Sequence, residues 1–145
     1  MAETAADLVD NILPRVPVRQ WVLSFPIPLR SLFAVHRALL TPVLRIIHRA
    51  IHRFLIQQTR VKRNAANTGA ITLIQRFGSA ANLNIHFHIL FLDGVYVTTG
   101  GRLTFHRVPP PTLAALEALV RVISARVGRA LERQDCWCGI LKIAF

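Results

Sequence analysis

His86-Phe87-His88 sets two imidazoles one residue apart inside the apolar run Asn84-Ile85-His86-Phe87-His88-Ile89-Leu90-Phe91-Leu92. In an extended strand alternate side chains point the same way. Both rings then project from one face, and Ile85, Phe87, Ile89 and Phe91 form the other. Neutral imidazole is a common ligand for divalent metals. A cation held by two rings keeps open positions that a phosphate oxygen can fill. Gln75 on the preceding strand offers a third ligand, because a turn of about four residues sets it opposite His86 on the same face. A divalent ion is expected at His86, His88 and Gln75. A strand histidine also serves as plain hydrogen-bonded structure, and the pair alone does not separate the two readings.

The other histidines carry less. His48 and His52 lie four apart on a helix, a spacing that can hold a metal, but Arg49-Ala50-Ile51 between them lacks the glutamate of the zinc-protease pattern. The flanking arginines oppose a cation, so a structural role is expected. His36 and His106 have no evident partners. Asn82 and Asn84 cap the turn before the histidines or touch a phosphate. Cys136 and Cys138 have a single residue between them, too close for a zinc knuckle, and two cysteines make no disulfide framework.

The 145 residues carry 18 Lys+Arg against 7 Asp+Glu, a formal charge of +11, and sixteen of the basic residues are arginine. Guanidinium pairs with phosphate through two parallel hydrogen bonds, so the balance points to nucleic acid before an anionic membrane. The nucleic-acid contacts expected are Arg45, Arg49, Arg53, Arg60, Lys62, Arg63 and Arg76. Hydrophobic content is 52%, yet no stretch reads as a membrane span, and the N-terminus lacks a basic-then-apolar export pattern. A nucleic acid is the partner expected, with no membrane and no small-molecule substrate. The cytoplasm is the expected place of work.

Those residues need a frame. Thr4–Leu13 has helical apolar spacing and Pro14 stops it; Val18–Phe25 reads as a strand with Trp21, Leu23 and Phe25 on one face, closed by Pro26 and Pro28. Leu29–Val61 is a long helical stretch that Pro42 kinks or divides. Its stripe is Leu32, Val35, Leu39, Val43, Ile46 or Ile47, Ile51, Phe54 and Leu55. A polar loop, Asn64–Gly69, leads to strand Ala70–Phe77, a turn at Gly78–Leu83 and the histidine strand. Asp93-Gly94 turns the chain, and Val95–Thr98 with Arg102–Val108 form a hairpin around Gly100-Gly101. Pro109-Pro110-Pro111-Thr112 sets up a helix from Leu113 to about Arg133, with Leu113, Leu116, Leu119, Val120, Ile123 and Val127 inward. The order predicts an α+β fold with one antiparallel sheet covered on one face by helices.

One block is specific in its wording: Gly69-Ala70-Ile71-Thr72-Leu73-Ile74-Gln75-Arg76-Phe77-Gly78-Ser79-Ala80-Ala81-Asn82-Leu83-Asn84-Ile85-His86-Phe87-His88-Ile89-Leu90-Phe91-Leu92-Asp93-Gly94-Val95. It closely resembles the bacterial rolling-circle transposases of the insertion sequence 91 family, whose signature is the His-hydrophobic-His strand of the HUH nucleases. Leu13-Pro14-Arg15-Val16-Pro17-Val18-Arg19-Gln20-Trp21-Val22-Leu23-Ser24 and His106-Arg107-Val108-Pro109-Pro110-Pro111-Thr112 are similar to that family too, as is the helix through Leu131-Glu132-Arg133-Gln134. The resemblance implies an HUH-like palm, with His86 and His88 as metal ligands and Gln75 outside what the family supplies. It also implies single-stranded DNA as the partner, magnesium or manganese as the ion, and work on the bacterial nucleoid. The reaction it implies is nicking and joining of single strands: a tyrosine hydroxyl attacks the phosphodiester, leaving a 5′-phosphotyrosine and a free 3′-OH.

The chain departs from that pattern. The family begins with a cysteine-rich zinc segment and carries its tyrosines on a helix downstream of the histidines. Here the only tyrosine is Tyr96, directly after the histidine strand, and residues 135–145 no longer resemble the family. The expectation is a partial transposase domain over residues 1–134 with a foreign tail, keeping the metal half of the site and lacking the nucleophile. Two other classes compete. One is a basic nucleic-acid-coating protein whose histidines only pack. The other is a small metalloenzyme of cupin type, which needs a glutamate after the pair where this chain has Asp93, and an all-β barrel that long helices do not suit.

Overall fold

The computed structural model describes residues 14–59, 61, 65–78 and 82–133. The helix expected at Thr4–Leu13, the basic residues Arg60, Lys62 and Arg63, and the 135–145 tail with both cysteines lie outside the described residues. Within them the fold is α+β, as expected, but its strands divide between two small sheets.

Strand β1 (Val18–Ser24) turns Trp21 and Leu23 toward the core and its alternate residues outward. Pro26 then opens helix α1 (Ile27–Val35), with Pro28 in the first turn, where a missing N–H costs no bond. The helical stretch divides at His36, not at Pro42. His36 leaves the helical region (φ −108°, ψ 72°), a 3-10 turn covers Arg37–Leu39, and helix α2 runs Leu40–Thr59. Pro42 is the third residue of α2, among the first N–H positions that have no acceptor within the helix, so it is tolerated without a kink. The break also strands Val35 at the end of α1, 76% exposed, although the spacing predicts it inside.

Part of the expected loop is a short strand, β2 (Ala66–Asn67). It is followed by β3 (Ala70–Phe77), β4 (Leu83–Leu92), β5 (Gly94–Thr99) and β6 (Arg102–Arg107). One sheet has the order β1-β4-β3 and the other β2-β5-β6, all antiparallel. The β5–β6 hairpin turns at Gly100 (φ 57°) and Gly101 (φ 78°), a two-residue loop with both residues left-handed, which glycine alone adopts without cost. Asp93-Gly94, by contrast, closes no hairpin. β4 and β5 do not pair; the chain passes through Asp93 from one sheet into the other.

The core fills the space between the first sheet and α1 and α2. Ile85, Phe87, Ile89 and Phe91, the apolar face of β4, are buried among Phe33, Val43, Ile47, Ile51, Phe54 and Leu55. Aromatic rings meet edge to face at Phe25–Phe33 (5.1 Å), Phe25–Phe87 (5.1 Å) and Trp21–Phe54 (6.1 Å). Helix α3 (Leu113–Glu132), capped by Thr112 Oγ1 accepting from the Ala115 N–H, packs on α2 along Leu119, Ile123, Val127 and Leu131. Leu113 and Val120, predicted inward, are exposed, because one neighbouring helix covers only a narrow seam of α3.

Asp93 is the one buried charged residue among those described. Its N–H donates to Pro17 O (2.7 Å) and its carbonyl accepts from Val108 N–H (3.0 Å). Its carboxylate forms an ion pair with Arg19 and lies 3.6 Å from Arg107 Nε. Arg19 goes on to donate to Val108 O (3.2 Å). Asp93→Ala leaves that guanidinium short of its counter-charge, and a loss of about 2–4 kcal/mol is expected, toward the low end for a broken buried pair. The urea midpoint should fall with the slope unchanged; an unmoved midpoint would show the backbone bonds suffice. Gly94→Ala should cost about 1–3 kcal/mol or more in the same assay, since a Cβ there presses on the His106 carbonyl and sits 2.6 Å from the Phe105 ring.

Candidate metal and nucleic-acid site

β4 is the central strand of its sheet, laddered on both edges, and this fixes where its side chains point. His86 stands opposite Ser24 of β1 and Gln75 of β3; His88 stands opposite Val22 and Leu73. The expected Gln75–His86 register is the one observed. The two rings lie side by side on the outer face, centroids 4.8 Å apart, both half-buried.

The imidazoles are anchored differently. His86 Nδ1 lies 2.7 Å from the backbone oxygen of Asn84, which can only accept. The proton therefore sits on Nδ1 and leaves the Nε2 lone pair free to bind a cation, the usual arrangement behind a metal-ligating histidine. His88 Nδ1 lies 2.7 Å from the side-chain amide nitrogen of Gln20. In that orientation the amide donates and the His88 proton sits on Nε2. With the amide turned over, its oxygen accepts from Nδ1–H and Nε2 becomes a ligand. Gln20 thus sets the tautomer of His88.

The groups on this face able to donate to a cation are few. They are two neighbouring imidazoles, the Gln75 amide, and Asn84 Oδ1, which is buried on the same strand face without a hydrogen-bond partner among the described residues. The Gln75 amide N–H donates to Phe77 O (3.1 Å), which leaves its oxygen as the part able to ligate. Among the described residues no third histidine, cysteine or carboxylate joins the pair.

The expected DNA contacts are not gathered at this face. Arg76 follows Gln75 at the bulge in β3, but Arg45, Arg49 and Arg53 belong to α2 on the other side of the sheet. Tyr96 is on β5, opposite Asn67, with its ring 5.0 Å from Phe105 and in the second sheet. Sequence reasoning missed Gln20. Its outward position on β1 is legible from alternation, but its meeting with His88 depends on a pairing that spans 68 residues.

His48 is tied to the sheet. Its Nε2 is 2.7 Å from Thr72 Oγ1 and its ring stacks edge-on to Phe91 at 5.5 Å.

Residues 69–138 match the model of a family described as "Putative transposase". That span is just under half of the chain and carries β3, the histidine strand, the β5–β6 hairpin and α3. No curated protein and no solved structure matches. The segment holding the histidine pair is thus transposase-like in sequence. Among the described residues no helix is long and apolar enough to cross a membrane.

Burial pushes the His48 imidazole below its ordinary value. The unfolded chain therefore takes up this proton at a higher pH, near 6.5, than the folded one does. The stabilisation is complete above that pH and is lost as pH falls through the folded value. Wild-type stability should accordingly drop more steeply than that of His48→Gln below about pH 6.5, measured by urea unfolding across a pH series. Parallel curves would rule out His48 as the source.

Proposed function

We propose that this chain works in DNA transposition, holding the backbone of a single DNA strand against a divalent cation on the outer face of β4. What carries the reading is the paired geometry of His86 and His88, 4.8 Å apart on a strand fixed at both edges, with the His86 Nε2 lone pair left free. The transposase-like sequence of the same segment supports it. So does its resemblance to the HUH nucleases, which points to the rolling-circle mode.

His86 and His88 would hold the ion, with the Gln75 or Asn84 amide oxygen as the third protein ligand. Two nitrogen donors suit manganese better than magnesium. Bound there, the ion supplies Lewis acidity and orientation to the scissile phosphate. The chain's own residues do the positioning: the Asn84 carbonyl fixes the proton of His86, and Gln20, with its amide oxygen turned to Nδ1, would hold the His88 proton there and free Nε2. Val22 and Leu73, 55% and 57% exposed, flank His88 on either side. An unpaired base can lie on that apolar shelf, whereas a duplex keeps its base faces stacked inside; this favours a single strand. The sole tyrosine belongs to the second sheet, packed against Phe105, so the reading assigns strand holding to these residues and takes the attacking hydroxyl from elsewhere.

A coating protein with packing histidines predicts indifference to metal. The cupin-type alternative does not suit the three helices and two open sheets of the described residues.

Titrating the chain with manganese, followed by paramagnetic broadening of the histidine ring protons, should give saturable binding. His86→Ala should weaken it about 100-fold or more and Gln20→Ala about 10-fold. Ring signals that ignore manganese would sink the metal reading. A labelled single-stranded oligonucleotide should be bound by the isolated chain and left uncut. Nicking that is lost in His86→Ala would show that some other group here attacks.

A further inference from the structure

Helices α2 and α3 enclose a groove of about 310 Å³ lined by Ile46, Arg49, Arg53, Arg126, Arg129 and Arg133. Five of its six lining side chains are guanidiniums. The spacing explains this: residues 49 and 53 share one face of α2, and residues 126, 129 and 133 share one face of α3. Arg133 Nε donates to the Arg129 carbonyl (3.1 Å) at the end of α3. The described carboxylates are Asp93, Glu117 and Glu132; Asp93 is engaged by Arg19 and Arg107, and neither glutamate forms an ion pair with Arg49, Arg126, Arg129 or Arg133. Favourable placement near the C-terminal end of α3 accounts for Arg129 and Arg133 taken alone. It does not account for α2 turning two more arginines into the same groove.

We infer that this groove is a second seat for nucleic-acid backbone, gripping phosphates independently of base sequence and of the cation at the histidines. The inference rests on the DNA reading above and adds where the strand is held. The groove is in the helical layer, and the first sheet stands between it and the outward face that carries His86 and His88. From Arg126 to Arg133 the helix rises about 10 Å, room for a short run of phosphates rather than one ion. Guanidiniums match phosphate oxygens in pairs, and every base sequence presents the same backbone. Ile46 is the only aliphatic residue in the lining, which leaves nothing to insert into a lipid surface, so the fit is to nucleic acid and not to an anionic membrane. The basic surface also continues past the groove, because Arg49 and Arg53 line a neighbouring hollow with Thr68 and Ala70 at the start of β3.

The test uses the full chain and a fluorescein-labelled oligothymidine, with binding followed by anisotropy over a salt series. Replacing Arg126, Arg129 and Arg133 together by glutamine should weaken binding about 10-fold or more at near-physiological salt and lower the slope of log K against log salt by about 2. Manganese binding at the histidines should not change. The triple variant Arg37→Gln, Arg102→Gln, Arg121→Gln removes the same charge from exposed positions outside the groove and should have a much smaller effect. Equal losses in the two triples would overturn the proposal, since net charge alone would then explain them. If the groove triple does not fold by circular dichroism, the single Arg129→Glu should still weaken binding about threefold; unchanged affinity there overturns it as well. A wild-type chain that binds vesicles of anionic lipid and not the oligonucleotide overturns the DNA reading and the groove with it. A wild-type chain that binds the oligonucleotide, with the groove triple matching it in affinity and slope, overturns the groove alone.

Discussion

The position of Asp93 governs how this molecule presents its chemistry. A buried carboxylate needs a counter-charge and hydrogen bonds, and Asp93 draws on segments far apart in the chain: Arg19 and Pro17 beside β1, and Arg107 and Val108 at the end of β6. The junction lies where β4 leaves one sheet and β5 enters the other. It therefore fixes β1 against β4 at the pair Val18–Leu92 and sets the register of the whole ladder. Register decides everything on the histidine face, because a slip of one residue turns every side chain to the opposite side. Phe87 would then meet solvent, and the two imidazoles would enter an aromatic core.

From that constraint the division of the molecule follows. The inner face of β4 is one surface of a core built with α1 and α2, and it gains stability from ring-on-ring contacts. The outer face is left with half-buried imidazoles, exposed aliphatics and two glutamine amides. Imidazoles kept at this depth are held by backbone and amide partners instead of by packing. That is the condition under which a ring keeps its orientation and still offers a lone pair.

Much of this was legible in the residues themselves, and the rest was not for definable reasons. Alternation along Asn84–Leu92 gave both faces of β4 because strand periodicity is local. The Gln75–His86 pairing could be read because a short turn joins the two strands. The break at His36 could not, since Pro42 is the conspicuous residue and its place in a first helical turn depends on where the helix begins. Division into two sheets was hidden because Asp93-Gly94 has the composition of a hairpin turn, whereas the ion pair that makes it a crossing point joins residues 74 apart in sequence, Arg19 and Asp93. Gln20 and the α3 arginines were missed for the same cause: each acquires its partner only through tertiary contact.

The basic surface has one chemical consequence. Every cationic side chain among the described residues, histidines aside, is an arginine; the two lysines of the sequence, Lys62 and Lys142, fall outside them. Guanidinium stays protonated at any pH a cell reaches. Acylating enzymes and amine-reactive labels, which act on lysine, would find nothing to neutralise on α2 or α3. Any hold those helices take on a polyanion would then respond to ionic strength and to competing polyanions, and remain indifferent to acetyl-transfer chemistry.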